Sequence, residues 1–425
     1  MVNNLINFVV LDWGFTRLKF WLVNFSGQIL NEKSIFIKDL NNNPKFYDYK
    51  DLNNIANEIS SFINYFSKDN CKKIYILSSC QMHCISGIFS DNKPFLSTWN
   101  DIPTILENTK LNNINGQPTL PSMPINKIIK IKGCNYLKTE STLNIFQKEK
   151  IQIKNFLTPL QLIFNYYFNF NLQPSLHFWD STCLPRNLIL KKNNISDIGR
   201  LNSSLPTPKI ISKSNLVVLP EIGDLLASTY SSLINSDMVI NLGTGSQIIF
   251  KKSFQTIEIE YFRNYPFLGK VFVISHIPCG RLFSDYCNKT NIKFEELKEC
   301  LNKFKIENFK NELKLSKKSL LYFPGYDAFR LKYISIPEIN INDIACFTKD
   351  RLITLWLLQY INLINYIFKN NNKEIHVNIS ICGELGGISL KAIKIFKEIF
   401  PSNFTFKLRV NSVPQSILSL SGIKK

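Results

Sequence analysis

The chain has 425 residues, 45% of them hydrophobic, a composition that excludes extended disorder and suffices for two cores. Its ten cysteines include no Cys-x-x-Cys pair, and the one local cluster with a histidine, Cys80, His83 and Cys84, lacks a fourth ligand, so they read as reduced, mostly buried thiols. The formal net charge of +19 comes from lysines scattered among asparagines and isoleucines, without an arginine-rich helix or base-stacking motif; it marks solvated faces and argues against a nucleic-acid partner.

The first six residues show no basic region followed by an apolar core and a cleavage site, and a cytoplasmic address is expected. Phe8-Val9-Val10-Leu11 predicts a buried strand that ends at the turn Asp12-Trp13-Gly14. Alternation through Leu18, Phe20 and Leu22, the Ser26-Gly27 break and then Gln28-Ile29-Leu30 predict a hairpin of two more strands. Ile55, Ile59, Phe62, Ile63 and Phe66 fall at helical spacing within Leu52 to Phe66, and Ile74 to Leu77 is again a strand. Lys110 to Lys150, rich in asparagine, proline and lysine, reads as mainly loop.

A helix is expected at Asp224 to Leu233. A second copy of the opening plan follows: strand Met238 to Leu242, turn Gly243-Thr244-Gly245-Ser246, return strand Gln247 to Phe250. Two such units in one chain suggest a duplicated fold with a cleft between the copies, divided near Ser231 to Ser236 into domains 1–232 and 233–425. Leu352 to Phe368 is the longest apolar stretch. Gln359, Asn362 and Asn365 interrupt it too often for lipid, so it predicts a buried helix and no membrane partner.

Three glycine turns carry the chemistry. In the first, Gly14 frees backbone N–H groups for a polyphosphate, Thr16 adds a hydroxyl and Lys19 a charge, while Asp12 is a candidate Mg²⁺ ligand. In the second, Gly243 and Gly245 flank Thr244 and precede Ser246, permitting close approach of backbone to phosphate oxygens. In the third, strand Ser380 to Cys382 runs into Gly383, Gly386 and Gly387, with a helix from Leu390 to Ile399; the missing side chains would let an adenine lie against the backbone. Taken singly, each turn is as readily an ordinary hairpin or strand-to-helix connection.

Together and in this order the three turns resemble the actin-like ATPase superfamily. Within it, Ser78-Ser79-Cys80-Gln81-Met82-His83-Cys84 with Thr98-Trp99-Asn100-Asp101 is similar to the sugar-pocket segments of the FGGY carbohydrate kinases. Glu221 to Ser231, leading into Asp237 to Asn241, and Phe262 to Phe267 look like sedoheptulokinase-type members. The resemblance implies an α/β fold of two ribonuclease H-like domains with an interdomain active-site cleft, and ATP-dependent phosphorylation of a sugar, with ATP and Mg²⁺ bound. It implies Asp224 as catalytic base, and Gln81, Met82, His83, Trp99, Asn100 and Asp101 against an open-chain ketose such as sedoheptulose.

The sequence departs from the family pattern at four places. Phe15 stands where a hydroxyl residue is usual, Cys84 where glycine follows the Gln-Met-His, Pro324 to Arg330 where Gly-Glu-Arg is common, and Val413 to Ser419 where the final helix is usually rich in alanine and glycine. These changes leave open a second reading, a relative that binds nucleotide or sugar as a sensor without turnover.

Overall fold

A computed structural model describes residues 7–14, 16–41, 46–66, 74–81, 84–98, 153–170, 172, 211–213, 216–219, 221–243, 245–251, 262–265, 268–315, 345–368, 376–383, 386–409 and 412–420. The chain divides into two compact units, Met1–Ala227 with Val413–Lys425, and Ser228–Ser412.

The first unit is built on a seven-stranded sheet. Strands β1 (Asn7–Trp13), β2 (Arg17–Asn24) and β3 (Ile29–Phe36) form an antiparallel meander, then α1 (Tyr49–Phe66) crosses over to β5 (Ile74–Cys80), which pairs with β1 in parallel. β4 (Phe46–Tyr47) lies outside this sheet. β1 is buried from Phe8 to Trp13, as expected of a central strand covered on both faces. α1 turns Leu52, Ile55, Ala56, Ile59, Phe62 and Ile63 into the same core, the helical stripe expected from the sequence.

Strands β6 (Ile85–Phe89), β7 (Pro94–Ser97) and β8 (Ile153–Phe156) join β4 in a second sheet, which the sequence did not announce. Helix α2 (Pro159–Tyr167) follows. After β9 (Ile211–Lys213), the strands β10 (Leu216–Val218) and β11 (Ile222–Gly223) run parallel to β5, and β11 passes directly into α3 (Asp224–Ile234).

The second unit repeats the plan. Strand β12 (Met238–Leu242) pairs antiparallel with β13 (Gly245–Lys251), and β13 with β15 (Gly269–Pro278), which β14 (Phe262–Tyr265) extends at the edge. Helices α4 (Gly280–Thr290), α5 (Phe294–Lys303), α6 (Ile306–Leu315) and α7 (Lys349–Phe368) precede β16 (Val377–Cys382), parallel to β12; α8 (Gly386–Ile399) then leads to β17 (Phe404–Leu408), parallel to β16. The strand orders β3-β2-β1-β5-β10 and β15-β13-β12-β16-β17 therefore match in sequence and sense.

α7 is the buried helix foreseen at Leu352 to Phe368: residues 352–361 are buried all round it, within the second core. Among the described residues no helix is long and apolar enough to cross a membrane. Seven described cysteines are free thiols, five of them buried. The last helix, α9 (Ser412–Leu420), groups from Val413 onward with the first unit, where Leu418 approaches Gly27.

Candidate functional site

In the first unit the chemistry gathers where parallel strands end. β5 lies between β1 and β11: Asp12 and Trp13 pair with Ser79 and Cys80 on one side, and Ile222 and Gly223 pair with the same two residues on the other. One residue further along, Gly14, Gln81 and Asp224 emerge side by side. With neighbouring strands about 4.8 Å apart, this row of carboxyl ends is where open α/β sheets bind ligands.

Asp12 is held there by its neighbours in register. Ser79 Oγ donates to Asp12 Oδ1 at 2.6 Å, and Lys19 lies opposite on β2. Burial pushes the Asp12 carboxyl above the usual carboxylate range, against the pull of Lys19 and the Ser79 hydrogen bond. Lys19 is lowered, by burial first, with Asp12 opposing and Arg17 assisting. The turn itself is closed by Gly14 N–H donating to Arg17 O at 3.0 Å, and a Cβ on Gly14 would stand 3.3 Å from that oxygen. Thr16 is exposed on it.

Gln81 N–H donates to Trp13 O at 3.0 Å, so the residue continues the ladder beyond β5. Its side chain is 1% exposed, yet among the described residues neither amide atom has a hydrogen-bond partner. A buried primary amide without partners is uncommon and points to a polar ligand. Asp224 is half-buried at the first position of α3, and its Oδ1 accepts the Leu225 N–H at 2.8 Å. A carboxylate there also suits the positive end of the helix dipole.

Glu221, three residues earlier, is fully buried, and its Oε2 accepts the Leu160 N–H of α2 at 3.3 Å. Burial carries this carboxyl up to about 8 against the hydrogen bonds it receives. Cys80, raised well above its ordinary range by burial and then by Cys84, Glu221 and Asp224, lies in the same cluster. Sequence reading missed the roles of Ser79 and Glu221. The available signal was a glutamate standing between two short apolar runs, Leu216–Val218 and Ile222–Gly223.

In the second unit Asn241 occupies the register position of Asp12. Its Nδ2 donates to Gln247 Oε1 on β13 at 2.7 Å and approaches Ser228 Oγ at 3.4 Å, while Cys382 Sγ on β16 donates to its Oδ1 at 3.7 Å. Gly280 N–H donates to Gly243 O at 3.1 Å and ties the turn to the start of α4. Gly245 is exposed, whereas Ser246 is fully buried, its hydroxyl in a polar cluster with Tyr360, Trp356 and Cys279. Burial drives Cys279 up to about 11.

Gly383 has φ +113°, and a Cβ there would overlap the Leu242 carbonyl and stand 2.6 Å from its carbon and 2.8 Å from the Leu242 nitrogen. Only glycine lets β16 end in such contact with β12. Gly386 and Gly387 open α8.

The structure thus gathers Asp12, Gly14, Lys19, Gln81 and Asp224 at strand ends of one unit, and Gly243, Gly245 and Gly383 at strand ends of the other. Met82, His83, Thr244, Trp99, Asn100 and Asp101 lie outside the described residues, as do Phe15 and Pro324 to Arg330; Gln81 and Cys84 flank the first two, and the buried Thr98 precedes Trp99.

No family model and no curated protein matches the sequence. Solved structures do. A xylulose kinase from Lactobacillus acidophilus is 14% identical over 98% of this chain and 89% of its own, with a TM-score of 0.60. A gluconate kinase from the same organism is 16% identical over the same shares, TM-score 0.59. A Plasmodium falciparum glycerol kinase solved with ADP is 12% identical over 99% and 89%, TM-score 0.58. The chain therefore has the mixed α/β fold of the two-domain sugar kinases, as the sequence motifs led one to expect.

Proposed function

We propose that the protein is an ATP-dependent carbohydrate kinase acting on an open-chain ketose, of which sedoheptulose is the candidate suggested by the segments around Glu221 and Phe262. The hydroxyl oxygen of the sugar attacks the γ-phosphorus, the bond from that phosphorus to the β,γ-bridging oxygen breaks, and ADP leaves with the electron pair. Asp224 takes the hydroxyl proton. The observation that carries this reading is the register that sets Asp224 next to Gln81, and both beside the Asp12 turn.

Each group has a separate task. The unpartnered amide of Gln81 is suited to sugar hydroxyls, with Met82, His83, Trp99, Asn100 and Asp101 as further sugar contacts. Gly14, Thr16 and Lys19, then Gly243, Thr244, Gly245 and Ser246, are the phosphate contacts; Ser246, being buried, would offer its backbone. Gly383, Gly386 and Gly387 supply the adenosine surface.

Among the described residues no three His, Cys, Asp or Glu side chains converge as a closed metal set. A single desolvated carboxylate, Asp12, fits Mg²⁺, which keeps most of its waters and takes one or two carboxylates. Bound there, the ion would screen phosphate charge.

The test is sugar-dependent ADP release across a panel of ketoses, aldoses and polyols, for the wild type and for Asp224→Asn. A loss of roughly a hundredfold to ten-thousandfold is expected for the variant. Wild-type turnover in Asp224→Asn removes the assigned base. ATP binding by calorimetry with no phosphorylated product on any sugar favours the sensor reading that Phe15 motivates.

A further inference from the structure

The segment that bears Asp224 owes little to strand pairing. β11 is two residues long, and its ladder to β5 consists of the pairs Ile222–Ser79 and Gly223–Cys80. So short a strand does not fix a side chain by pairing alone.

Directly before it stands Glu221, 1% exposed and without a task in the transfer chemistry. Its Oε2 accepts the Leu160 N–H at 3.3 Å at the start of α2, and Cys80 at the end of β5 lies close enough for the two groups to feel each other's charge. Burying a carboxyl costs several kcal/mol, and the hydrogen bond from the start of α2 offsets part of that cost.

We infer that Glu221 is a positioning residue, one carboxyl that clamps the Asp224 segment to the start of α2, beside the end of β5 where Gln81 begins. This rests on the reading of Asp224 as base. Glu221 thus adds a second tie, besides the two-pair ladder to β5, that holds the proposed base beside the proposed sugar amide. The charged and titratable neighbours are few. α2 carries no charged side chain, β5 contributes Cys80, its continuation Cys84, and α3 Asp224.

Burial raises the Glu221 carboxyl to about 8, so near neutral pH it is largely protonated. A carboxyl whose folded value lies above its unfolded value stabilises the fold fully below the unfolded value, about 4.3, and that stability is lost as pH rises toward the folded one. The loss therefore spans the interval from about 4.3 to about 8.

Two full-length variants test the clamp. Glu221→Gln keeps the shape and an acceptor but cannot ionise; Glu221→Ala removes both. Three readouts apply: melting temperature against pH from 5 to 9, amide hydrogen exchange at residues 222–226, and sugar-dependent ADP release.

In Glu221→Ala, exchange at 222–226 should accelerate by roughly tenfold or more, and kcat should fall by roughly tenfold to a hundredfold with little change in the sugar KM. Glu221→Gln should restore both, and its melting temperature should gain on the wild type from pH 5 to 8 and then hold a constant lead. Unchanged exchange in a folded Glu221→Ala, or parallel melting curves for Glu221→Gln and the wild type, overturns the inference. If Glu221→Ala does not fold, the Glu221→Gln curve decides. If no sugar is phosphorylated by any form, the base assignment fails, while exchange and melting still decide the clamp.

Discussion

The two hairpins that open the two halves share a backbone and differ in the residue that anchors them. Asp12 pairs with Lys19 on one side and Ser79 on the other; Asn241, in the same register, pairs with Gln247 and Cys382. One site places a partly desolvated carboxylate between a cation and a hydroxyl, the other a neutral amide between an amide and a thiol. A duplicated scaffold has thus been given a charged end and an uncharged end. The charged one suits a hydrated cation. The uncharged one would let an anion approach glycine backbone without an opposing carboxylate. Each unit also holds a buried edge-on aromatic pair, Trp13 with Tyr47 at 5.4 Å and Trp356 with Tyr360 at 5.5 Å.

Making the first anchor like the second should have the largest effect. Asp12→Asn is expected to lower sugar-dependent ADP release by roughly a hundredfold or more while raising stability at neutral pH. Its folded carboxyl is raised, so the wild type loses stability as pH rises above the ordinary carboxylate range; the variant's lead in melting temperature should shrink below about pH 4. A variant that retains full turnover would show that the charge asymmetry does not matter.

Next comes the contact that only the second half possesses. Gly383→Ala should destabilise by about 3 kcal/mol in denaturant unfolding, because its Cβ meets backbone rather than a movable side chain. Gly14→Ala, facing one carbonyl at 3.3 Å, should cost less, and Gly245→Ala, with nothing within 4 Å, should leave stability nearly unchanged. An inverted order among these three would contradict the close approach of β16 to β12.

The reverse exchange, Asn241→Asp, removes the donor to Gln247 and sets a carboxylate against the Gln247 oxygen. A cost of about 2 kcal/mol is expected, again by denaturant unfolding. The smallest effect on stability belongs to Gln81→Met, which replaces an unpartnered buried amide by an apolar chain of similar length. It should leave the melting temperature equal or slightly higher and raise the sugar KM without moving the ATP KM.

Local patterns were read well from the sequence. Strand β12 was foreseen with its observed limits, and β1, β2, α1, α3 and α7 differ by a few residues at their ends, because a run of apolar residues at period 2 or 3.6 records which face is buried. β6 and β7 escaped. Their residues Ile85 to Ser97 mix glycine, serine and lysine, and it is pairing with each other and with β4 and β8 that makes them strands. Asp12, Gly14, Gln81, Asp224, Gly243 and Gly383 could be singled out by their motifs. Ser79 could not, since its importance lies in a hydrogen bond to a residue far away in the chain.

By itself the sequence determined most of the longer elements and the glycine turns, and it suggested the candidate base, all of which depend on residues close together in the chain. The tertiary structure decided which strand ends are neighbours, that Asp12 and Asn241 are equivalent positions, that Gly383 rests on Leu242 and that Glu221 reaches α2 and Cys80. Periodicity reports only that a side chain is buried. Which group it is buried against follows from strand order and register, and those are fixed by contacts distant in sequence.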